Sequence, residues 1–325
     1  MASPKAQVQM VYKNCARALG EGPHWDDRTQ HLIFIDILNR EVHRWDPTTG
    51  KDELRRVDDT VGVVVPRRKG GYILGLGRRF ASLDWDTGKT TTIKEVGPEN
   101  PRPSTAELPD PSAANRFNDT GNRFNDGKCD PMGRLWTGTI GPFGPGGFVA
   151  GSGCLYSLNV DRTVTLRHSG VDLTNGMAFS NDNATLFYID STPKNIYAFD
   201  YDPQAGNLSS ERTVRQFEDS GGSPYTAEIP DSMTIDTDGK LWVAMFNGGK
   251  VLKLDPETGK TLQTINFPVT QTTSVAWGGR NLDELYVTTG RLFPEEEFKK
   301  QPLAGSLFKV TGLGARGRPA YLYEG

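Results

Sequence analysis

Three short stretches place a side-chain oxygen just ahead of an apolar run: Glu21-Gly22-Pro23-His24-Trp25, Asn175-Gly176-Met177-Ala178-Phe179 and Asp231-Ser232-Met233-Thr234-Ile235. Each run ends in a polar turn, at Asp26-Asp27, Ser180-Asn181-Asp182-Asn183 and Asp236-Thr237-Asp238-Gly239, and a second strand-like run follows. An acid or amide before one strand is ordinarily a solvated turn residue. At matched positions of a closed repeat, however, Glu21, Asn175 and Asp231 come together on one axis as a cage of hard oxygens. Such a set suits Ca²⁺ or Mg²⁺, with Zn²⁺ or Mn²⁺ also compatible.

Other candidate chemistry is weaker. Asp236-Thr237-Asp238-Gly239 and Asp255-Pro256-Glu257-Thr258-Gly259-Lys260 resemble pieces of a calcium loop but lack its twelfth-position acid, and both read as tight turns. Gly312-Leu313-Gly314-Ala315-Arg316-Gly317 matches a dinucleotide fingerprint, yet too few residues follow for the helix and strand it requires, so a glycine-rich turn closing the ring is expected. His24, His31, His43 and His168 form no metal-binding pair, and there is neither a nucleophile elbow nor a phosphate loop. Asn-Arg-Phe-Asn-Asp occurs twice, from Asn115 and from Asn122. An arginine fork with amides can hold a polyhydroxylated or carboxylate ligand, or the segment is simply a loop tied by its own Asx-turns.

The elements that must position these residues repeat. Inner runs begin near Gly22, Gly62, Asp126, Asn175, Asp231 and Thr273, spaced about 40 to 65 residues apart. Outer halves repeat as well, as in Trp45-Asp46-Pro47-Thr48-Thr49-Gly50-Lys51 and Leu83-Asp84-Trp85-Asp86-Thr87-Gly88-Lys89. Alternating runs such as Glu41-Val42-His43-Arg44-Trp45 read as strands with one buried face. Together they predict an all-β fold, a six-bladed β-propeller with four-stranded blades and a central-channel metal site, spanning 1–325 as one domain. An enlarged rim loop at 97–122 and a Gly/Pro-rich loop at 141–153 are expected on the same face, bordering a pocket.

Bulk properties exclude several classes. With 37 basic and 40 acidic residues among 325 and no long run of one sign, the chain has no nucleic-acid or anionic-lipid footprint. No signal-like segment or membrane span is read from the sequence, and the 3 cysteines are unclustered, so a cytoplasmic protein is expected, with oligomeric state left open.

Several stretches together resemble the regucalcin family, which includes senescence marker protein, gluconolactonase and luciferin-regenerating enzyme. They are Gly20-Glu21-Gly22-Pro23-His24-Trp25, Asn122 through Pro131, Asn175-Gly176-Met177, Phe199-Asp200-Tyr201-Asp202, Pro230-Asp231-Ser232-Met233 and Val310-Thr311-Gly312-Leu313-Gly314. The resemblance implies one divalent cation, Ca²⁺ first among the candidates, held by Glu21, Asn175 and Asp231. It also implies substrate binding by Arg123 and Asn125, the copy that continues into Gly127-Lys128, and hydrolysis of a lactone with Asp231 as catalytic base. Where the family's vertebrate members carry a substrate-contacting Glu after the equivalent of Gly138-Thr139, this chain reads Ile140-Gly141-Pro142-Phe143. A less polar, small-molecule substrate is therefore expected, with Phe143 supplying apolar surface or Glu107 replacing the missing acid. The alternatives are a hydrolase of the luciferin-regenerating type and a non-enzymatic calcium-binding regulator.

Overall fold

The computed structural model describes residues 5–97, 122–144, 147–218, 226–293 and 295–325. Arg116, Asn118, Glu107 and the side chain of Phe143 lie outside the described residues, as does most of the expected 97–122 loop.

Strands emerge where the sequence alternates, and the turn residues between them fold each set back on itself. Blade 1 comprises Gly20–Asp26, His31–Asp36, Glu41–Trp45 and Asp52–Arg56. Blade 2 begins at Val61–Pro66, blade 3 at Arg123–Cys129, blade 4 at Thr174–Phe179, blade 5 at Ile229–Ile235 and blade 6 at Thr272–Gly278. Among the described residues these make six four-stranded sheets, antiparallel throughout, and one two-stranded hairpin, Phe143–Gly144 with Gly147–Phe148. The predicted all-β, six-bladed propeller is thus the observed fold, and the inner strands start within a few residues of the expected positions.

Closure differs from the expected glycine-rich turn. The outermost strand of blade 6 is Gln7–Tyr12, from the opposite end of the chain, paired with Leu307–Thr311. The added strand completes the four of blade 6 and joins the two ends of the chain in one sheet, which closes the ring. Gly312 follows that strand at φ 69°, and a Cβ there would stand 2.7 Å from the Lys5 carbonyl oxygen, so only glycine fits beside the closing strand.

Burial decreases outward. Inner strands such as Val61–Pro66 and Thr174–Phe179 are wholly buried, whereas the outermost Asn207–Gln216 is largely exposed. The apolar core is divided into clusters between neighbouring blades. Ile33, Ile35 and Val42 meet Val61, Val64 and Leu74 between blades 1 and 2, and Trp25, Leu32 and Phe34 meet Tyr286 and Leu307 between blades 6 and 1. Equivalent clusters fill the other junctions. Each blade therefore depends on two neighbours for its core, and the ring is the stable unit.

At the lower ends of blades 3 and 5 a buried carboxylate anchors the first hairpin. Asp130 accepts bonds from the Met132 and Arg134 amides, Arg134 Nε, Trp136 Nε1 and Tyr201 Oη. Asp236 does the same for the Asp238 and Lys240 amides and Trp242 Nε1. The Asp255-to-Gly259 segment is a turn closed by the Gly259 amide on the Asp255 carbonyl at 2.8 Å. Both calcium-loop look-alikes are therefore structural turns.

Candidate functional site

Every inner strand carries a register irregularity near its start: between Glu21 and His24, Val61 and Val63, Phe124 and Asp126, Thr174 and Met177, Pro230 and Met233, and Thr272 and Val275. A bulge inserts a residue that makes no ladder pair and re-aims its side chain. At or immediately before these bulges stand Glu21, which keeps its ladder pair with Ile35, and the unpaired Gly62, Asn125, Asn175, Asp231 and Thr273, one residue from each blade. In blade 2 a side chain is excluded, because a Cβ on Gly62 would lie 2.2 Å from the Phe124 carbonyl oxygen.

Carboxylates fix two of these strand starts from behind. Asp36 accepts the amides of Arg17, Ala18 and Leu19 just ahead of Glu21. Asp190 accepts those of Asp172 and Leu173 just ahead of Asn175, and burial raises its carboxyl to about 6.

The sequence-selected residues meet in one network. Arg123, only 4% exposed, directs Nη1 to Asn125 Oδ1 at 2.9 Å. Asn125 Nδ2 donates to the Thr174 carbonyl at 2.9 Å and to Asn175 Oδ1 at 3.2 Å. Asn175 Nδ2 donates in turn to Ser191 Oγ at 2.8 Å, and Ser191 donates to the Pro230 carbonyl at 2.5 Å, adjacent to Asp231. The Asn175 amide also bonds Asp231. Arg123 is thus a brace for Asn125 as well as a candidate ligand contact, a part the sequence did not suggest.

The electrostatics are those of crowded acids. Glu21 and Asp231 are 7% and 6% exposed. Burial foremost, and then the neighbouring carboxylates, hold both well above the usual carboxylate range; Glu21 feels Asp231 and Asp126, and Asp231 feels Asp126. Asp126 bonds the Gly127 amide at 2.6 Å and the Ser232 hydroxyl, while its Oδ2 is buried without a partner. Farther down the channel His24 is driven to about 4 by burial, and Lys128 Nζ donates to the Met233 carbonyl at 3.0 Å.

Among the described residues no three His, Cys, Asp or Glu side chains converge as a metal-binding group by themselves. The candidate set is two carboxylates and an amide. It fits a hard divalent cation on its chemistry: the donors are oxygens, the buried negative charges repel one another, and Asp126 leaves one oxygen unsatisfied beside them. Asp126, Ser191 and Thr273 escaped assignment by sequence reasoning. Asp126 was legible as the residue after Asn125 in the Asn-Asp-Gly stretch, whereas Ser191 carries no local signal.

A six-bladed propeller whose inner-strand starts gather buried oxygen donors at one mouth of the channel presents a candidate axial ligand site. Residues 19–291 match the SMP-30/Gluconolactonase/LRE-like region, and the chain belongs to that family. It is 41% identical over 326 residues to regucalcin of Danio rerio, covering 100% of both chains, and 42% identical over 309 residues to that of Gallus gallus, covering 94% of this chain and 95% of the relative. A solved luciferin-regenerating enzyme superposes with TM-score 0.84 at 33% identity, covering 98% of this chain and 100% of the other. No helix among the described residues is long and apolar enough to cross a membrane.

Proposed function

We propose that this protein is a divalent-cation-dependent hydrolase of a lactone. The observation that carries this reading is the convergence of Glu21, Asn175 and Asp231, from the inner-strand starts of blades 1, 4 and 5, with mutually repelling buried carboxylates. Family membership supports the same reaction class. Glu21, Asn175 and Asp231 would hold the cation, with Ca²⁺ the first candidate and Mg²⁺, Mn²⁺ or Zn²⁺ alternatives. When bound, such a cation polarises an ester carbonyl and makes a neighbouring water more acidic.

The chain's own residues supply the rest. Asp231 accepts the proton of the attacking water at a carboxylate oxygen. That proton is returned to the ring oxygen as the acyl–oxygen bond breaks, and the product is a hydroxy acid. Asn175 is held in one orientation by Ser191 and Asn125, so its amide oxygen is presented without reorganisation. Asn125 and Arg123 flank the same mouth and bind polar groups of the substrate.

A panel of lactones assayed with and without chelator tests this. Turnover that chelation removes and a divalent cation restores is expected. A protein that binds the cation and hydrolyses no lactone or ester would be a regulator instead.

A further inference from the structure

The amides and the guanidinium at the channel mouth lie on one flank. Blade 3 contributes Arg123 and Asn125, and blade 4 contributes Asn175. Between Glu21 of blade 1 and Asp231 of blade 5 stands blade 6, whose bulge residue Thr273 turns its hydroxyl to the Gly20 carbonyl at 2.6 Å. Three apolar side chains come from the neighbouring rim segments. Leu38, Phe246 and Leu292 are half-buried and pack against the cluster that contains Leu19, two residues before Glu21.

Register places all three side chains at the upper end. Ile35 pairs with Glu21, and Leu38 follows three residues later. Phe246 pairs with Ile229, two residues before Asp231. Leu292 follows Gly290, whose Cβ would meet Leu19 at 3.1 Å and Thr273 at 3.5 Å. Phe246 of blade 5 and Leu292, just past the second strand of blade 6, thus pack against a cluster of blades 1 and 2 that includes Leu19, itself bridged to Gly290.

The wall is built rigidly. Gln271, 2% exposed, accepts the Leu292 amide at 2.6 Å, donates to the Leu292 carbonyl at 3.2 Å and donates to Asn247 Oδ1 at 3.2 Å. One buried side chain thereby locks the blade 5 and blade 6 rims together.

We infer that Leu38, Phe246 and Leu292 form a subsite for an apolar substituent, so that the substrate is a lactone or ester carrying an alkyl or aryl group of several carbons. This rests on the hydrolase reading and specifies its substrate class. The reacting carbonyl sits over the oxygen donors, polar groups face Arg123 and Asn125, and the apolar part crosses toward blade 6. A pocket with convergent polar groups on one side and hydrocarbon on the other selects both parts of a ligand.

The test uses γ-butyrolactones bearing alkyl chains from none to hexyl, together with the matching γ-lactams, which bind but resist hydrolysis. The full-length protein with its divalent cation is titrated with each lactam by calorimetry and assayed with each lactone. Both affinity and kcat/KM are expected to rise roughly two- to fourfold per methylene over the first few carbons, the range that burying a methylene supports. Phe246→Ala, Leu292→Ala and Leu38→Ala should flatten both slopes, and Phe246→Leu should retain most of them, with melting temperature confirming that each variant is folded. A flat wild-type slope, no lactam binding at any length, or a slope unchanged in all three alanine variants overturns the inference. A steep lactam slope flattened by the variants, with no lactone hydrolysed, keeps the subsite and removes the hydrolase reading.

Discussion

Asn125 Nδ2 stands 3.2 Å from Asn175 Oδ1, a hydrogen bond between residues 50 positions apart that joins blades 3 and 4 at the channel mouth. It ties a proposed substrate-binding residue to a proposed cation ligand. With Arg123 behind one and Ser191 behind the other, the two amides are held in a single arrangement.

Loss of an oxygen donor should remove activity and leave the ring intact. Glu21→Gln, Asn175→Ala and Asp231→Ala are each expected to lower kcat/KM by roughly a hundredfold or more, since a polarising cation supplies several kcal/mol. The melting temperature should be retained or raised in Glu21→Gln and Asp231→Ala, because these two changes relieve buried like charge, and should fall modestly in Asn175→Ala, which removes a hydrogen bond to Asp231. Kinetics across a cation titration check this. Wild-type turnover by any one variant at limiting cation would show that the donors do not share a site.

The brace predicts a milder effect. Ser191→Ala frees the Asn175 amide without touching the donors, and Asn125→Ala removes one amide contact. Each should weaken cation affinity or activity by about ten- to a hundredfold, as changes behind a metal ligand commonly do. Calorimetric titration with Ca²⁺ and with Mn²⁺ gives the affinity independently of turnover. Unaltered affinity in Ser191→Ala would mean that Asn175 needs no positioning.

Stability resides elsewhere. Asp130 is fully buried and satisfies Arg134, Trp136 and Tyr201 together. Asp130→Ala leaves the Arg134 charge largely buried and two ring donors unpaired, which should cost roughly 3–5 kcal/mol. Urea denaturation measures it. A loss under about 1 kcal/mol would assign the network a minor part.

The thiols should be inert in the native state. Cys15, Cys129 and Cys154 form no disulfide and are buried, and burial pushes the Cys15 thiol up to about 12 and raises that of Cys129 well above its usual value. The thiolate is the reactive form, so an aromatic disulfide reagent should titrate no thiol before denaturation and all three after it. Rapid reaction of even one in the folded protein would contradict the packing described.

The sequence by itself determined the blade count, the inner-strand starts and the grouping of Glu21, Asn175 and Asp231. These are local signals that a repeat multiplies: alternation marks a strand, Asp and Gly mark a turn, and equal positions in equal units converge when the ring closes. Its reading of the Asp255 segment as a turn rests on the same chemistry. Only the tertiary structure decided what depends on contacts between distant units. The closing strand at Gln7–Tyr12 has a periodicity like any other, and its partner is fixed by blade 6, to which the chain from Thr272 onward gives three strands. Ser191 resembles any serine at a strand end until folding sets its hydroxyl between the Asn175 amide and the Pro230 carbonyl. Leu38, Phe246 and Leu292, from three separate rim segments, become a surface only where blades 5, 6 and 1 meet, because burial is a property of the assembled ring and no one of the segments carries it.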